Sequence, residues 1–95
     1  MSLSMDGKDA PKQVEGLEIN ALADGYVIYE ASRDRVHYLN PTAVLVLEMC
    51  NGRVTADEIL RLVQEAYDLA EPPTTEVMDC LTKLRDEGLI RWAAS

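Results

Sequence analysis

Two runs of β-branched and aromatic residues, Tyr26-Val27-Ile28-Tyr29 and Val36-His37-Tyr38-Leu39, flank the polar stretch Glu30-Ala31-Ser32-Arg33-Asp34-Arg35. Such runs suit the pleated, half-buried surface of a sheet, and the stretch between them is of hairpin length. Upstream, Leu17, Ile19 and Ala21 alternate with Glu18 and Asn20, which predicts a first strand within residues 14–22. Asp24-Gly25 is a turn dipeptide that lets the chain reverse into the second run. A three-stranded antiparallel meander is therefore expected.

After Leu39 the signals become helical. In Asn40-Pro41 the asparagine can cap an orphan N–H, while proline fits the first helical position without losing a needed donor. Residues 43–50 are apolar on nearly every side, as in a central, buried helix, and Asn51-Gly52 is expected to stop it with a left-handed glycine cap. Thr55-Ala56-Asp57-Glu58 has the form of a capping box. It opens a second helix running to about Tyr67, with an apolar stripe of Ile59, Leu62, Val63 and Ala66 opposite Arg61, Gln64 and Glu65. Pro72-Pro73 forms a stiff connector. Thr74 or Thr75 is then expected to cap a third helix with the stripe Val77, Cys80, Leu81 and Leu84, ending at Gly88. Leu89-Ile90-Arg91-Trp92 reads as a short extended tail. Three strands followed by three helices make an α+β domain with the sheet at one end of a helical core.

Residues 1–13 are polar, carry Gly7 and Pro11, and show no sustained period. They are expected to be disordered and dispensable, leaving residues 14–95 as the folded domain. Met1-Ser2-Leu3-Ser4 reads as an expression scar ahead of Met5. The 95 residues suit one domain, and with no Phe and 5% aromatics the core must be aliphatic.

A net charge of −8 with no Lys/Arg cluster repels phosphate backbones and anionic lipid surfaces alike. No stretch approaches the roughly 20 apolar residues of a spanning helix. The start of the chain has no basic stretch followed by an apolar one, so a cytoplasmic location is expected. Cys50 and Cys80 fall inside apolar helical patterns and read as small buried hydrophobes.

No constellation for catalysis is present in the sequence. His37 is the single histidine, lacks further metal ligands at useful spacing, and reads as a solvated or half-buried strand residue. Gly25, Gly52 and Gly88 are isolated turn or cap residues and make no phosphate loop. Asp57-Glu58 and the group Glu65, Asp68 and Glu71 follow helix-surface positions, as solvated faces do. Neither an enzymatic activity nor a cofactor is expected. The distinctive feature is the edge of the sheet, because residues 36–39 contain no proline and are blunted by Arg35 and His37 alone. Such an edge is a template for another chain, unless a helix or a dimer partner covers it.

Asp24-Gly25, Val36-His37-Tyr38-Leu39-Asn40-Pro41-Thr42-Ala43, Asn51-Gly52, Thr55-Ala56-Asp57-Glu58-Ile59, then Val77, Leu81, Leu84 and Gly88-Leu89-Ile90, taken in that order, resemble the PqqD-like family over about residues 17–91. The resemblance implies a winged-helix-like RiPP recognition element, which binds the leader of a ribosomally made precursor peptide. Such a domain presents the leader to a modifying enzyme, often a radical-SAM protein. It also implies that the leader adds as a strand beside the third strand and lies against the third helix. Carried onto this chain, the groove falls between Val36, His37, Tyr38 and Leu39 on one side and Val77, Met78, Leu81 and Leu84 on the other. Lys83 and Arg85 are the candidates to pair with acidic leader residues. Pyrroloquinoline quinone biosynthesis and other peptide-modification pathways both fit. A winged-helix DNA regulator is disfavoured because Glu76, Asp79, Asp86 and Glu87 outnumber Lys83 and Arg85 on the third helix. An interaction module that dimerises through its sheet edge is the other alternative.

Overall fold

The computed structural model describes residues 10–92. Strands β2 (Leu17–Leu22), β3 (Gly25–Glu30) and β4 (Arg35–Leu39) form the expected antiparallel meander, in the order β2-β3-β4. Ile28 in the middle strand stands opposite Ile19 on one side and His37 on the other. Period-two alternation turns Leu17, Ile19, Tyr26, Ile28 and Leu39 onto the helices, with Ile28 fully buried. A 3-10 turn, Ala31–Arg33, and a left-handed Asp34 join β3 to β4, and the Tyr29 hydroxyl donates to Asp34 Oδ1 at 2.9 Å.

Helix α1 (Pro41–Met49) begins where the sequence predicts: Asn40 Oδ1 accepts from the Ala43 N–H at 2.8 Å and Pro41 takes the first position. Val44, Val46 and Leu47 are buried, as a helix apolar on several faces requires. Its end differs from expectation. Cys50 closes the helix, while Gly52, with φ +83, lies in the loop beyond, where the Asn51 side chain accepts from the Arg53 and Val54 N–H groups.

The predicted capping box of α2 (Ala56–Ala66) is present on both sides, Thr55 and Glu58 each satisfying the other's backbone donor. Its buried stripe is Ala56, Ile59 and Val63, whereas Leu62 and Ala66 are exposed. The stripe is narrower than expected because the buried face turns toward Leu60 and Val63, which leaves Leu62 to one side, while Ala66 stands at the helix end. Helix α3 (Thr74–Asp86) has no side-chain cap. Pro73 occupies the cap position and the Thr74 N–H turns back to the Pro72 carbonyl at 2.8 Å, so the rigid connector replaces the threonine hydroxyl.

The largest correction concerns the chain start. Pro11–Gln13 forms strand β1, paired antiparallel with β5 (Ile90–Trp92), which accounts for the expected extended tail. Pro11 is fully buried. The Gly52 N–H donates to the Pro11 carbonyl at 2.9 Å, the Gln13 N–H to Cys50 at 2.8 Å, and Gln13 Nε2 to the Leu47 carbonyl at 2.9 Å. The segment therefore satisfies the Cys50 carbonyl after the end of α1, gives the Leu47 carbonyl a second donor and covers the loop that follows. Residues 11–13 thus belong to the folded domain, and the candidate scar at residues 1–4 lies outside the described residues. Around Leu47, Ile59, Leu81, Leu84 and Leu89, all fully buried, the core is aliphatic as composition demands.

Deleting residues 1–13 removes a buried proline ring and several backbone hydrogen bonds, at a cost of about 2 kcal/mol or more. For a domain of this size that lowers the melting temperature by about 10 °C. An unchanged melt, followed by circular dichroism, would contradict the clamp.

Candidate functional site

Glu30 is an inward-facing carboxylate, 2% exposed, at the end of β3. Burial of an ion is tolerable only with partners. Arg33, one turn on, supplies a two-pronged ion pair through Nε and through Nη2, the latter at 2.9 Å from Oε1. His37 Nε2 lies 3.2 Å from the same Oε1, while its Nδ1 lies 3.3 Å from Glu87 Oε2 at the end of α3. Arg33 Nη2 also donates to the Glu87 carbonyl at 2.6 Å. Gly88 makes that approach feasible: its φ of +79 turns the chain out of the helix, and a methyl group there would run into the Arg33 guanidinium. Sheet and helix are thus tied by directional contacts. The Arg33 hydrogen bonds first, helped by His37, hold the Glu30 carboxyl below its ordinary pKa, against the opposing effect of burial.

Above this tie opens a cleft of about 720 Å³. Tyr38 and Leu39 of β4 form one wall, Asn40, Thr42 and Ala43 at the start of α1 form the end, and Glu76, Asp79, Cys80, Thr82, Lys83, Leu84 and Glu87 of α3 form the other wall. The volume is that of an ordinary ligand site. β4 is an edge strand: on the side away from β3 it pairs with no strand among the described residues.

Of the residues assigned to the groove from sequence, Tyr38, Leu39 and Leu84 line it. Val36 lies beside Tyr29 on the outward face of the sheet and is 51% exposed. His37 lies on the inward face, beneath the cleft, in the Glu30–Glu87 tie. Val77 and Leu81 are core residues at 1% and 0% exposure, and Met78 packs partly against that core. Arg85 pairs with Asp86 at 3.2 Å and does not line the cleft, whereas Lys83 does. The helix face is therefore turned by about one residue from the apolar stripe. The series Glu76, Asp79, Cys80, Lys83 and Glu87 keeps three- and four-residue spacing, a legible signal that polarity disguised as an ordinary solvated face.

Neither thiol is poised for chemistry. Burial pushes Cys50 up to about 12 and also raises Cys80. Among the described residues, no three His, Cys, Asp or Glu side chains converge as a metal site, and no helix is long and apolar enough to cross a membrane.

A family model described as coenzyme PQQ synthesis protein D (PqqD) matches residues 25–90, from the first residue of β3 to the first of β5. Both walls of the cleft and the whole Glu30 tie fall inside that span, while β1 and β2 lie outside it. No curated protein and no solved structure matches the chain.

Because the native pKa of Glu30 lies below its unfolded value, its contribution to stability is complete above the unfolded carboxylate value. It is lost as pH falls through the native one. Glu30→Gln should therefore lower the melting temperature at neutral pH and flatten the decline of stability between about pH 5 and pH 3. Parallel acid profiles for the two proteins would contradict the role given to Glu30.

Proposed function

The chain belongs to the coenzyme PQQ synthesis protein D family, and from that premise we propose that it is a non-enzymatic adaptor for a ribosomally made precursor peptide. The leader of that peptide adds as a fourth strand along the open edge of β4 and lies in the cleft against α3. Once held there, it is presented to a modifying enzyme, a radical-SAM protein being the class that the family resemblance implies. One observation carries the reading: the open edge and the 720 Å³ cleft occur together, with Tyr38 and Leu39 common to both. Strand addition draws affinity from main-chain hydrogen bonds and selectivity from side-chain pockets, and this edge has a pocket beside it. A few aliphatic contacts at about 1.5–3 kcal/mol each, less the cost of ordering the peptide, reach micromolar affinity.

The cytoplasm is the compartment this role implies. A DNA-binding role for the third helix is opposed by its exposed Glu76, Asp79, Asp86 and Glu87.

The test is titration of a labelled leader segment from a candidate precursor peptide, followed by fluorescence anisotropy. Cys80→Arg, which places a long side chain across the cleft from a half-buried position, should weaken binding at least tenfold without unfolding the protein. Leu81→Asp would report on folding instead, since Leu81 is wholly buried. Equal affinity of Cys80→Arg and the unaltered chain, or no binding at high micromolar peptide, would contradict the proposal.

A further inference from the structure

A second depression of about 360 Å³ adjoins the cleft, and the two share Thr42 and Glu76 in their walls. Its remaining walls are Val63 of α2, Tyr67 just past the end of that helix, Leu69 and Pro73 of the connector, and the edge of Val77. These groups are predominantly apolar, and Tyr67 and Leu69 are left 47% and 39% exposed. The walls are held in place before anything binds. The Leu69 N–H donates to the Gln64 carbonyl at 2.9 Å, Gln64 Nε2 donates back to the Leu69 carbonyl at 3.2 Å, and the Tyr67 and Thr42 hydroxyls meet at 3.1 Å. Pro73 of the stiff connector stands in this wall as well as at the start of α3. At the shared end of the cleft the charge is acidic, Glu76 and Asp79 lying one turn apart, while Lys83 and Glu87 stand further along α3 and Glu87 is held by His37. The carboxylates at this end favour a basic residue in a bound peptide, while Lys83 further along the cleft keeps the expected partner for an acidic one.

We propose that the depression is an anchor subsite for the same peptide, resting on the reading that a peptide occupies the β4–α3 cleft. The occupant is an extended segment with a bulky aliphatic or aromatic side chain seated against Leu69 and Tyr67. A neighbouring Lys or Arg faces Glu76 and Asp79. The volume suits one large side chain, and burying it excludes water from a surface that is otherwise costly to expose. Carboxylates this exposed contribute selectivity more than affinity.

The test uses a random dodecapeptide library panned against the full chain, twelve extended residues reaching about 40 Å, enough to cover both depressions. Enriched peptides should carry a basic residue near a bulky apolar one. Leu69→Ser should weaken the best of them about tenfold, with the circular-dichroism melt confirming a folded variant. Replacing the peptide's apolar residue by Ala should bring no further loss in that variant. Glu76→Gln should cost about threefold, and nothing for a peptide whose basic residue is replaced by norleucine. Peptides that shift β4 amides yet bind Leu69→Ser and Glu76→Gln unchanged, or that are enriched in Asp and Glu, would overturn the subsite and leave the cleft reading standing. A library that yields no binder, with or without self-association of the chain, would overturn both.

Discussion

A carboxylate taken out of water has to find its partners inside the protein, and Glu30 finds them in two residues of its own hairpin. Arg33 grips it from the turn and His37 from the neighbouring strand, and both then reach Glu87 at the end of α3. Apolar packing holds sheet and helices together without specifying direction. The Glu30 tie supplies the direction, because ion pairs and hydrogen bonds lose most of their strength when distances and angles drift. The distance between β4 and the last turn of α3 follows from it, and so does the mouth of the cleft between them. Gly88 belongs to the same arrangement, since its missing side chain is the space into which the Arg33 guanidinium fits.

The cleft then has unlike walls, which suits an extended peptide. One wall is an unpaired strand edge that can extend a ladder, and the other is a helix face that mixes Cys80 and Leu84 with carboxylates. In the proposed mode of binding the strand edge gives affinity to any extended chain, and discrimination falls to the helix and to the apolar depression beyond Thr42. The family match spans both walls and stops short of β1 and β2. β1 serves the other end of the molecule, sealing the loop after α1 and pairing with β5.

Where a signal is local, it was readable in the sequence. The meander, the Asn40-Pro41 start of α1 and the Thr55–Glu58 capping box each depend on residues within a few positions of one another, and each is found in place. Much of what escaped depends on distant partners, the cap of α3 being a local exception. Pro11–Gln13 has no period of its own and becomes a strand because Ile90–Trp92 and the end of α1 offer it hydrogen bonds. Pro73 displaced the threonines from the cap of α3 because two consecutive prolines already fix the entry angle. At the site, apolarity pointed to Val77 and Leu81, which the core uses, while the cleft is lined by the adjoining polar stripe from Glu76 to Glu87. Val77 and Leu81 are taken up by the core, while Cys80 and Leu84 of the same stripe also reach the cleft. Of the two expectations for His37, solvated or half-buried, the structure has the second, and its partners, Glu30 and Glu87, are seven and fifty residues away.

Amide hydrogen exchange of the chain with and without its precursor peptide tests the central claim most directly. A leader that extends the sheet at β4 slows exchange of amides within residues 35–39 that face away from β3, while the opposite edge at β2 exchanges as before. Protection confined to β2 or to the exposed surface of α2, with β4 unaffected, would contradict it.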